Sequence, residues 1–276
     1  MIELRNDEYY IVLPLMKTVH YKAVYAHSVI ENIQPGKIFV NRKIEPTCCL
    51  IANRGGRYIV VGDTNDNIFN RDITIFLRDK NNHSIYYDLF TSSDEWIELL
   101  EHLLAGQTAT LSHSSFIFNE TKFKGFNSLA GNFPKEFIVQ PLGSSLIEKY
   151  QITVSNFGSI EEFLLNGFGY CVLVDNQLVS LCISGSVGNG RAEISIFTNE
   201  GYRNIGLAKL TCSAFINHCL EHNLVPNWGC DTGNKASIQL ATKLGFEKIK
   251  ENKMLWWHED KSVVTNYLNS FGYENQ

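Results

Sequence analysis

Apolar residues at Leu15, Val19, Ala23, Ala26, Ile30 and Ile33 recur at three- to four-residue steps, which predicts one helix with a core-facing stripe. Gln34-Pro35-Gly36 stops it. Short apolar runs follow at 37–40, 47–52 and 57–61 and predict strands, the last two joined by Asn53-Arg54-Gly55-Gly56 as a hairpin. Residues 73–77 predict a fourth strand. Ser92-x-x-Glu95, ahead of Trp96, Leu99, Leu100 and Leu103, reads as a capping box opening an amphipathic helix that Gly106 ends.

From about residue 121 to 134 the chain is rich in Lys, Gly, Asn and Ser and holds no sustained apolar run, which places a domain boundary there and divides the chain into 1–125 and 126–276. Beyond it, 137–139 predicts a strand and 160–165 a short helix. An antiparallel meander follows: 170–174, the turn Asp175-Asn176-Gln177, 178–183, a loop over 185–190, and 191–198. Leu207, Leu210, Ala214 and Phe215 give a helical stripe, 226–230 a strand, and Ser237, Leu240, Ala241 and Leu244 a second helix closed by Gly245. A last strand covers 254–257. The two halves share a helix, strand, hairpin, strand order without any residue-level repeat. The fold class is α/β (α+β), a mixed and mostly antiparallel sheet flanked by helices.

Composition narrows the function classes. The 276 residues, 44% hydrophobic and 19% charged, suffice for a buried core. A net charge of −5 gives no global basic footprint, so nucleic acid is not the expected partner. Seven cysteines at 48, 49, 171, 182, 212, 219 and 230 are odd in number and form no C-x-x-C pair, which favours neither a disulfide framework nor a metal site. The first eight residues lack the layout of a secretory signal, and no apolar run reaches the roughly 18 residues of a membrane span. The expected location is the cytoplasm, with no membrane partner.

The chemistry centres on Arg203-x-x-Gly206-x-Ala208, which follows the strand Ile194-Ser195-Ile196-Phe197-Thr198 and opens a helix. A helix start leaves its first N–H groups unpaired and suits an anion such as a pyrophosphate. Gly206 lets backbone approach the phosphates closely, and small Ala208 lets the helix pack near the strand. The stretch is neither a P-loop, since no Gly-Lys-Ser/Thr follows, nor a dinucleotide fingerprint.

Residues 192–208, AEISIFTNEGYRNIGLA, with residues 234–249, NKASIQLATKLGFEKI, resemble the GNAT superfamily of acyl-CoA-dependent N-acyltransferases, two of its motifs in the right order. The wording of GFGYCVLVDNQLVSLCISG and HCLEHNLVPNWGCDTGN is similar to a bacterial subgroup in which a divergent domain precedes the catalytic one. The resemblance implies a smaller or degenerate GNAT-like N-terminal domain and an N-acetyltransferase using acetyl-CoA as co-substrate, without metal. It implies that the backbone of Ile196, Phe197 and Thr198 pairs with the pantetheine arm. Amides of Asn204, Ile205, Gly206, Leu207 and Ala208 hold the pyrophosphate, with charge from Arg203. Asn234 contacts the pantetheine region, assisted by Ser237.

Direct attack on the thioester needs a neutral amine, so a base must deprotonate the ammonium. Glu193 is the first candidate, on the strand where the family places a glutamate although about one residue out of its usual spacing, and Glu200 in the turn is the second. Glu200 also reads as an acidic residue favourably placed near a helix start. Where many members carry a tyrosine that protonates the leaving thiolate, this chain has Ala241, which leaves water, Tyr202 or Cys230. The expected acceptor is a small-molecule primary amine, and a homodimer is compatible with this reading. Two alternatives stand beside it: a non-catalytic acyl-CoA-binding sensor or scaffold, and a protein or peptide N-acetyltransferase. Cys230-Asp231 with His218 or His222 is better read as packing than as a thiol nucleophile, and His218 with His222 lacks a third metal ligand. Trp228, Trp256 and Trp257 suit an acceptor pocket and a core equally.

Overall fold

The structure, a computed structural model, describes residues 1–19, 21, 23–129 and 137–273. In chain order come β1 (Ile2–Glu3), α1 (Leu13–Met16), α2 (Val24–Ile30), β2 (Gly36–Val40), β3 (Cys48–Asn53), β4 (Arg57–Gly62), α3 (Asn67–Arg78), β5 (Tyr86–Thr91) and α4 (Asp94–Leu103). Then follow β6 (Ala109–Phe118), α5 (Glu120–Leu129), β7 (Val139–Pro141), α6 (Ser144–Lys149), α7 (Ile160–Asn166), β8 (Gly169–Val174), β9 (Gln177–Gly188) and β10 (Arg191–Thr198). The chain continues through α8 (Leu207–Glu221), β11 (Val225–Asn227), β12 (Gly229–Asp231), α9 (Lys235–Lys243), β13 (Phe246–His258) and α10 (Lys261–Phe271).

By contacts the chain forms two compact units that interleave in sequence. Unit 1 takes residues 1–113, 231–233 and 251–276, and unit 2 takes 114–230 and 234–250. Unit 1 is built on β1-β2-β3-β4-β5-β13 in that spatial order, unit 2 on β11-β10-β9-β8-β7. Each repeats one plan: two helices, three antiparallel strands, a helix, and a strand parallel to the third, β5 beside β4 and β11 beside β10. Both are mixed, mostly antiparallel sheets flanked by helices, the expected fold class.

In unit 1 the central strand β3 is buried on both faces. Cys49 and Ile51 join a core with Val29 and Ile30 of α2, while Cys48, Leu50 and Ala52 join another with Phe69 and Ile73 of α3 and Trp96 of α4. In unit 2, Cys182, Ala192 and Ile194 of the sheet pack on Cys212, Phe215, Ile216 and Cys219 of α8. Gly245 turns the chain after α9 with φ +83°, and a Cβ there would stand 2.7 Å from the Phe123 amide nitrogen, so only glycine fits. Among the described residues no helix is long and apolar enough to cross a membrane.

Several elements differ from the sequence expectation. The helix expected over 15–33 is two short helices, because Lys17, Thr18 and Val19 turn through i→i−3 bonds and the Thr18 hydroxyl also donates to the Leu15 carbonyl at 2.8 Å. Residues 73–77 lie in helix α3 rather than a strand. Its buried positions Phe69, Asn70, Ile73, Phe76 and Leu77 follow helical spacing, and Asp66 caps it by accepting from the Phe69 amide at 2.9 Å. The capping box at Ser92 does not form, since the Ser92 hydroxyl accepts from the Gly62 amide at 3.3 Å and Ser93 takes the N-cap position. Helix α5 occupies part of the expected boundary stretch, whose remainder, 130–134, lies outside the described residues. Strand β13, expected to close the second half, pairs Leu255 with Leu89 and Trp256 with Asp88 of β5 in unit 1.

His113 closes the first segment of unit 1, with Phe90 edge-on at 5.2 Å, and burial pushes its imidazole down to about 3 from 6.5. Between those values the unfolded chain binds a proton that the folded chain refuses, so stability falls as pH drops through this window, by up to about 1.4 kcal/mol per pH unit. Thermal melts from neutral to acid pH are expected to show this slope and to lose part of it in His113→Gln.

Candidate functional site

Strand β10 organises unit 2. It leaves β9 through Asn189-Gly190, both at positive φ (+52° and +66°), a two-residue hairpin turn in place of the loop expected over 185–190. Pairing with β9 is regular from Arg191↔Gly188 to Glu193↔Ser186, then Ile194 pairs with Ser184, which leaves Gly185 as an extra residue, a β-bulge. Asn156 pins it, its Nδ2 donating to the Gly185 carbonyl at 2.6 Å.

On its other side β10 pairs with β11 only over Arg191–Glu193, opposite Val225–Asn227. The strand expected over 226–230 is thus two short ones that part at Trp228, whose indole N–H donates to Ser237 Oγ at 3.1 Å and whose carbonyl accepts from the Phe116 amide at 3.3 Å. Past this fork Ile194, Ser195, Ile196, Phe197 and Thr198 pair with β9 alone among the described residues. Their other edge presents a row of backbone N–H and C=O groups, which an extended amide-bearing chain can pair with as a strand would.

That edge runs into a one-turn helix, Glu200–Tyr202, and then to α8. Asn204 and Gly206 both have positive φ, +66° and +92°, and Gly206 is the N-cap of α8, with no side chain to occupy the amides of Leu207, Ala208 and Lys209. The first intrahelical bond runs from the Leu210 amide to the Gly206 carbonyl at 3.0 Å. Asn204, Ile205 and Gly206 are exposed, so the start of a fifteen-residue helix faces solvent with its positive dipole end. Arg203 donates from Nε to the Thr198 carbonyl and from a terminal guanidinium nitrogen to Glu200, each at 3.3 Å, at the loop surface.

The two carboxylates differ. Glu200 is 85% exposed in its side chain and engaged with Arg203, whereas Glu193 is 6% exposed at the fork. Asn234 caps α9, its Oδ1 accepting from the Ser237 amide at 3.1 Å and its Nδ2 remaining a donor. Ser237 Oγ already takes the Trp228 N–H. Ala241 is fully buried against Leu244 and Phe246, so its position faces the core. Ala241→Tyr is accordingly expected to overpack that core and lower stability by about 1–3 kcal/mol in chemical denaturation, with no gain in turnover.

Other groups are packing. Burial pushes Cys171 up to about 11 and Cys219 up to about 12, and burial beside Cys212 raises Cys182 well above the usual thiol range, so none is a ready thiolate. His218 stacks between Phe168 and His222, each at 4.0 Å, and its Nδ1 meets the Tyr170 hydroxyl at 3.0 Å. Tyr202 packs against an apolar cluster with Leu207 and Val179. Trp228 and Trp256 are core residues. Among the described residues no three His, Cys, Asp or Glu side chains gather to hold a metal.

The model of the GNAT acetyltransferase family matches residues 14–255. The chain belongs to that family. As a GNAT acetyltransferase it is an acyl-CoA-dependent enzyme of a family that uses acetyl-CoA. It is 30% identical over 236 residues, 84% of this chain and 89% of the other, to the uncharacterized N-acetyltransferase YdfB of Bacillus subtilis (strain 168). The crystal structure of a GCN5-related N-acetyltransferase-like protein from Streptococcus suis 89/1591 shares the GNAT fold, with TM-score 0.74 and 23% identity over 91% of this chain and 99% of that one. A tandem GNAT protein from the clavulanic acid biosynthesis pathway matches with TM-score 0.62 and 11% identity, over 92% of this chain and 95% of that one. Its two-domain architecture fits the repeated plan of units 1 and 2.

The register of the fork, which sets Ser186 and Asn227 beside Glu193, escaped the sequence reading. Both sit in register with Glu193, and only the position of the Gly185 bulge, invisible in the polar pattern, turns Ser186 to that face.

Proposed function

We propose that the chain is a cytoplasmic enzyme that transfers the acetyl group of acetyl-CoA to a small-molecule primary amine by direct attack, with Glu193 as general base. The observation that carries this reading is the fork at Glu193 and Asn227, from which the open edge of β10 leads directly to the Gly206-capped start of α8. The edge at Ile196, Phe197 and Thr198 suits the pantetheine amides, with the donor Nδ2 of Asn234 as a further contact and Ser237 holding the cap. The amides of Asn204 through Ala208 suit the pyrophosphate, and Arg203 adds positive charge. When bound, acetyl-CoA supplies a thioester carbonyl open to an amine.

Glu193 removes one proton from the ammonium, exposing the nitrogen lone pair. Its burial favours a slim amine that can reach it and keeps bulk water from competing. Glu200, exposed and paired with Arg203, is left a supporting role in the loop. All these residues lie in unit 2 and within 126–276, the proposed catalytic domain. Residues 1–125 act as an accessory domain, since the corresponding turn ahead of α3 carries Asp63 and Asp66, and Asp66 occupies the helix start with its own carboxylate.

The test is free-CoA release from acetyl-CoA across aminoglycosides, polyamines, amino acids and short peptides, with Glu193→Gln alongside. Release with small amines that the variant loses is the expected outcome. Release with peptides alone would replace the small-molecule acceptor by a protein one.

A further inference from the structure

Unit 1 holds a cavity of its own, of about 390 Å³, where the start of β2, the β3–β4 hairpin and the turn after α3 come together. Every residue that lines it falls within 35–84, in the first segment of unit 1. Lys37 of β2 pairs with Ala52 of β3, and Ala52 with Tyr58 of β4, and residues paired in register share a face. Small Ala52 between two long side chains leaves a hollow, whose wall Phe76 in the last turn of α3 completes.

The outer wall is held in place by its own contacts. Asp79 accepts from the Asn81 amide at 3.0 Å to start a one-turn helix, Lys80–Asn82, and Asn82 Nδ2 donates to the Phe76 carbonyl at 3.2 Å. His83 Nε2 meets the Leu77 carbonyl at 3.1 Å, and its ring stands edge-on to Tyr87 at 5.1 Å and to Trp257 at 4.5 Å. Such a wall is formed before a ligand arrives, as small-molecule sites largely are.

Two polar side chains of the lining have no polar partner. Tyr58 is 4% exposed with its ring stacked on Tyr87 at 5.6 Å, and its hydroxyl makes no hydrogen bond among the described residues. A buried hydroxyl in that state calls for a partner. Burial pushes the phenol up to about 12, so it keeps its proton at neutral pH and remains a donor. Arg54 gives its backbone amide to the Pro35 carbonyl at 2.9 Å, while its guanidinium has no carboxylate partner among the described residues. Lys37, by contrast, lies 3.4 Å from Glu3. Among the described residues no Asp or Glu lines the cavity, and Pro35, Ala52, Tyr58 and Phe76 make much of its surface apolar.

We propose that unit 1 binds a small carboxylic acid in this cavity. Arg54 pairs with the carboxylate, the Tyr58 hydroxyl donates to one of its oxygens, and a flat aromatic or branched aliphatic body lies against Tyr58 and Phe76. The chemistry of the lining selects that class. A guanidinium fork matches a carboxylate. The apolar surface offers nothing to a bare inorganic anion, and a lining without acidic residues offers nothing to an amine, so this ligand is not the acceptor proposed for unit 2. A volume of about 390 Å³ stands at the small end of ligand sites, about 300–1,000 Å³, which suits a one-ring acid rather than a coenzyme.

The experiment is calorimetry of the full chain with benzoate, phenylacetate and 4-methylpentanoate. Benzamide, which keeps the ring without the charge, and inorganic phosphate, which keeps the charge without the body, run alongside. Saturable binding of one acid per chain is expected for at least one of the three, with neither control matching it. Arg54→Gln and Tyr58→Phe are each expected to weaken that acid by about tenfold or more, as a lost hydrogen bond to a charged group does. Both variants spare the packing, since Arg54 is exposed and Tyr58→Phe removes one oxygen. Gly206→Glu, in unit 2, is expected to bind the acid as the wild type does. No binding by any of the three acids, a control that binds as tightly, or an acid that Arg54→Gln and Tyr58→Phe bind unchanged would overturn the proposal. Acetyl-CoA takes no part in the measurement, so its failure leaves the reading of unit 2 standing.

Discussion

Glu193→Gln is expected to lower kcat/KM for amine acetylation by about 10²–10⁴-fold, the usual contribution of a positioned base, while leaving the affinity for acetyl-CoA unchanged. The amide keeps the shape of the carboxylate and cannot take a proton. Because Glu193 is 6% exposed, the neutral substitute also removes the cost of a buried charge, and thermal stability is expected to hold or rise. Binding by calorimetry and turnover by CoA release separate the two effects. A variant that binds and turns over normally would move the base elsewhere on the fork.

Gly206→Glu is expected to weaken acetyl-CoA binding by about 100-fold or more, close to 3 kcal/mol. Two effects add. An L-residue in the left-handed region at φ +92° costs about 1–2 kcal/mol, and a carboxylate is brought to the helix start proposed for a pyrophosphate. Gly206→Asn separates them, since asparagine tolerates this backbone region and adds no charge. It should retain most of the affinity. Calorimetry with acetyl-CoA gives both numbers, and full binding by the glutamate variant would sink the phosphate loop.

Much of unit 2 was legible because its signals are local. The meander from 170 to 198 alternates in the pattern of its strands, Asn189-Gly190 lies where the hairpin turns, and the glycine at 206 falls where a strand gives way to a helix. The misreadings arose where tertiary contacts outweigh local pattern. Ile73-Thr74-Ile75-Phe76-Leu77 is an apolar, partly β-branched run that becomes helical because the Asp66 cap starts it and the sheet covers its Phe69–Ile73–Phe76 face. Strands β5 and β6 and helix α10 gave no expectation at all, and β5 depends on β13, whose paired residues lie more than 160 positions away in the chain. At the site, the loop and the buried glutamate could be named from their motif. The fork could not, because it is a divergence of two strands, and the register that brings Asn227 beside Glu193 leaves no mark in the local pattern.

The interleaving of the two units has a consequence for biosynthesis. A chain emerging from the ribosome presents strands β1 to β5 long before β13 and α10, so the edge of β5 waits unsatisfied through the whole translation of unit 2. The carboxy-terminal core, whose segments lie within 114–250, is complete in the nascent chain first. Truncation just after Lys250 would therefore spare the proposed catalytic sheet yet leave the amino-terminal half, the first part made, as the half that aggregates.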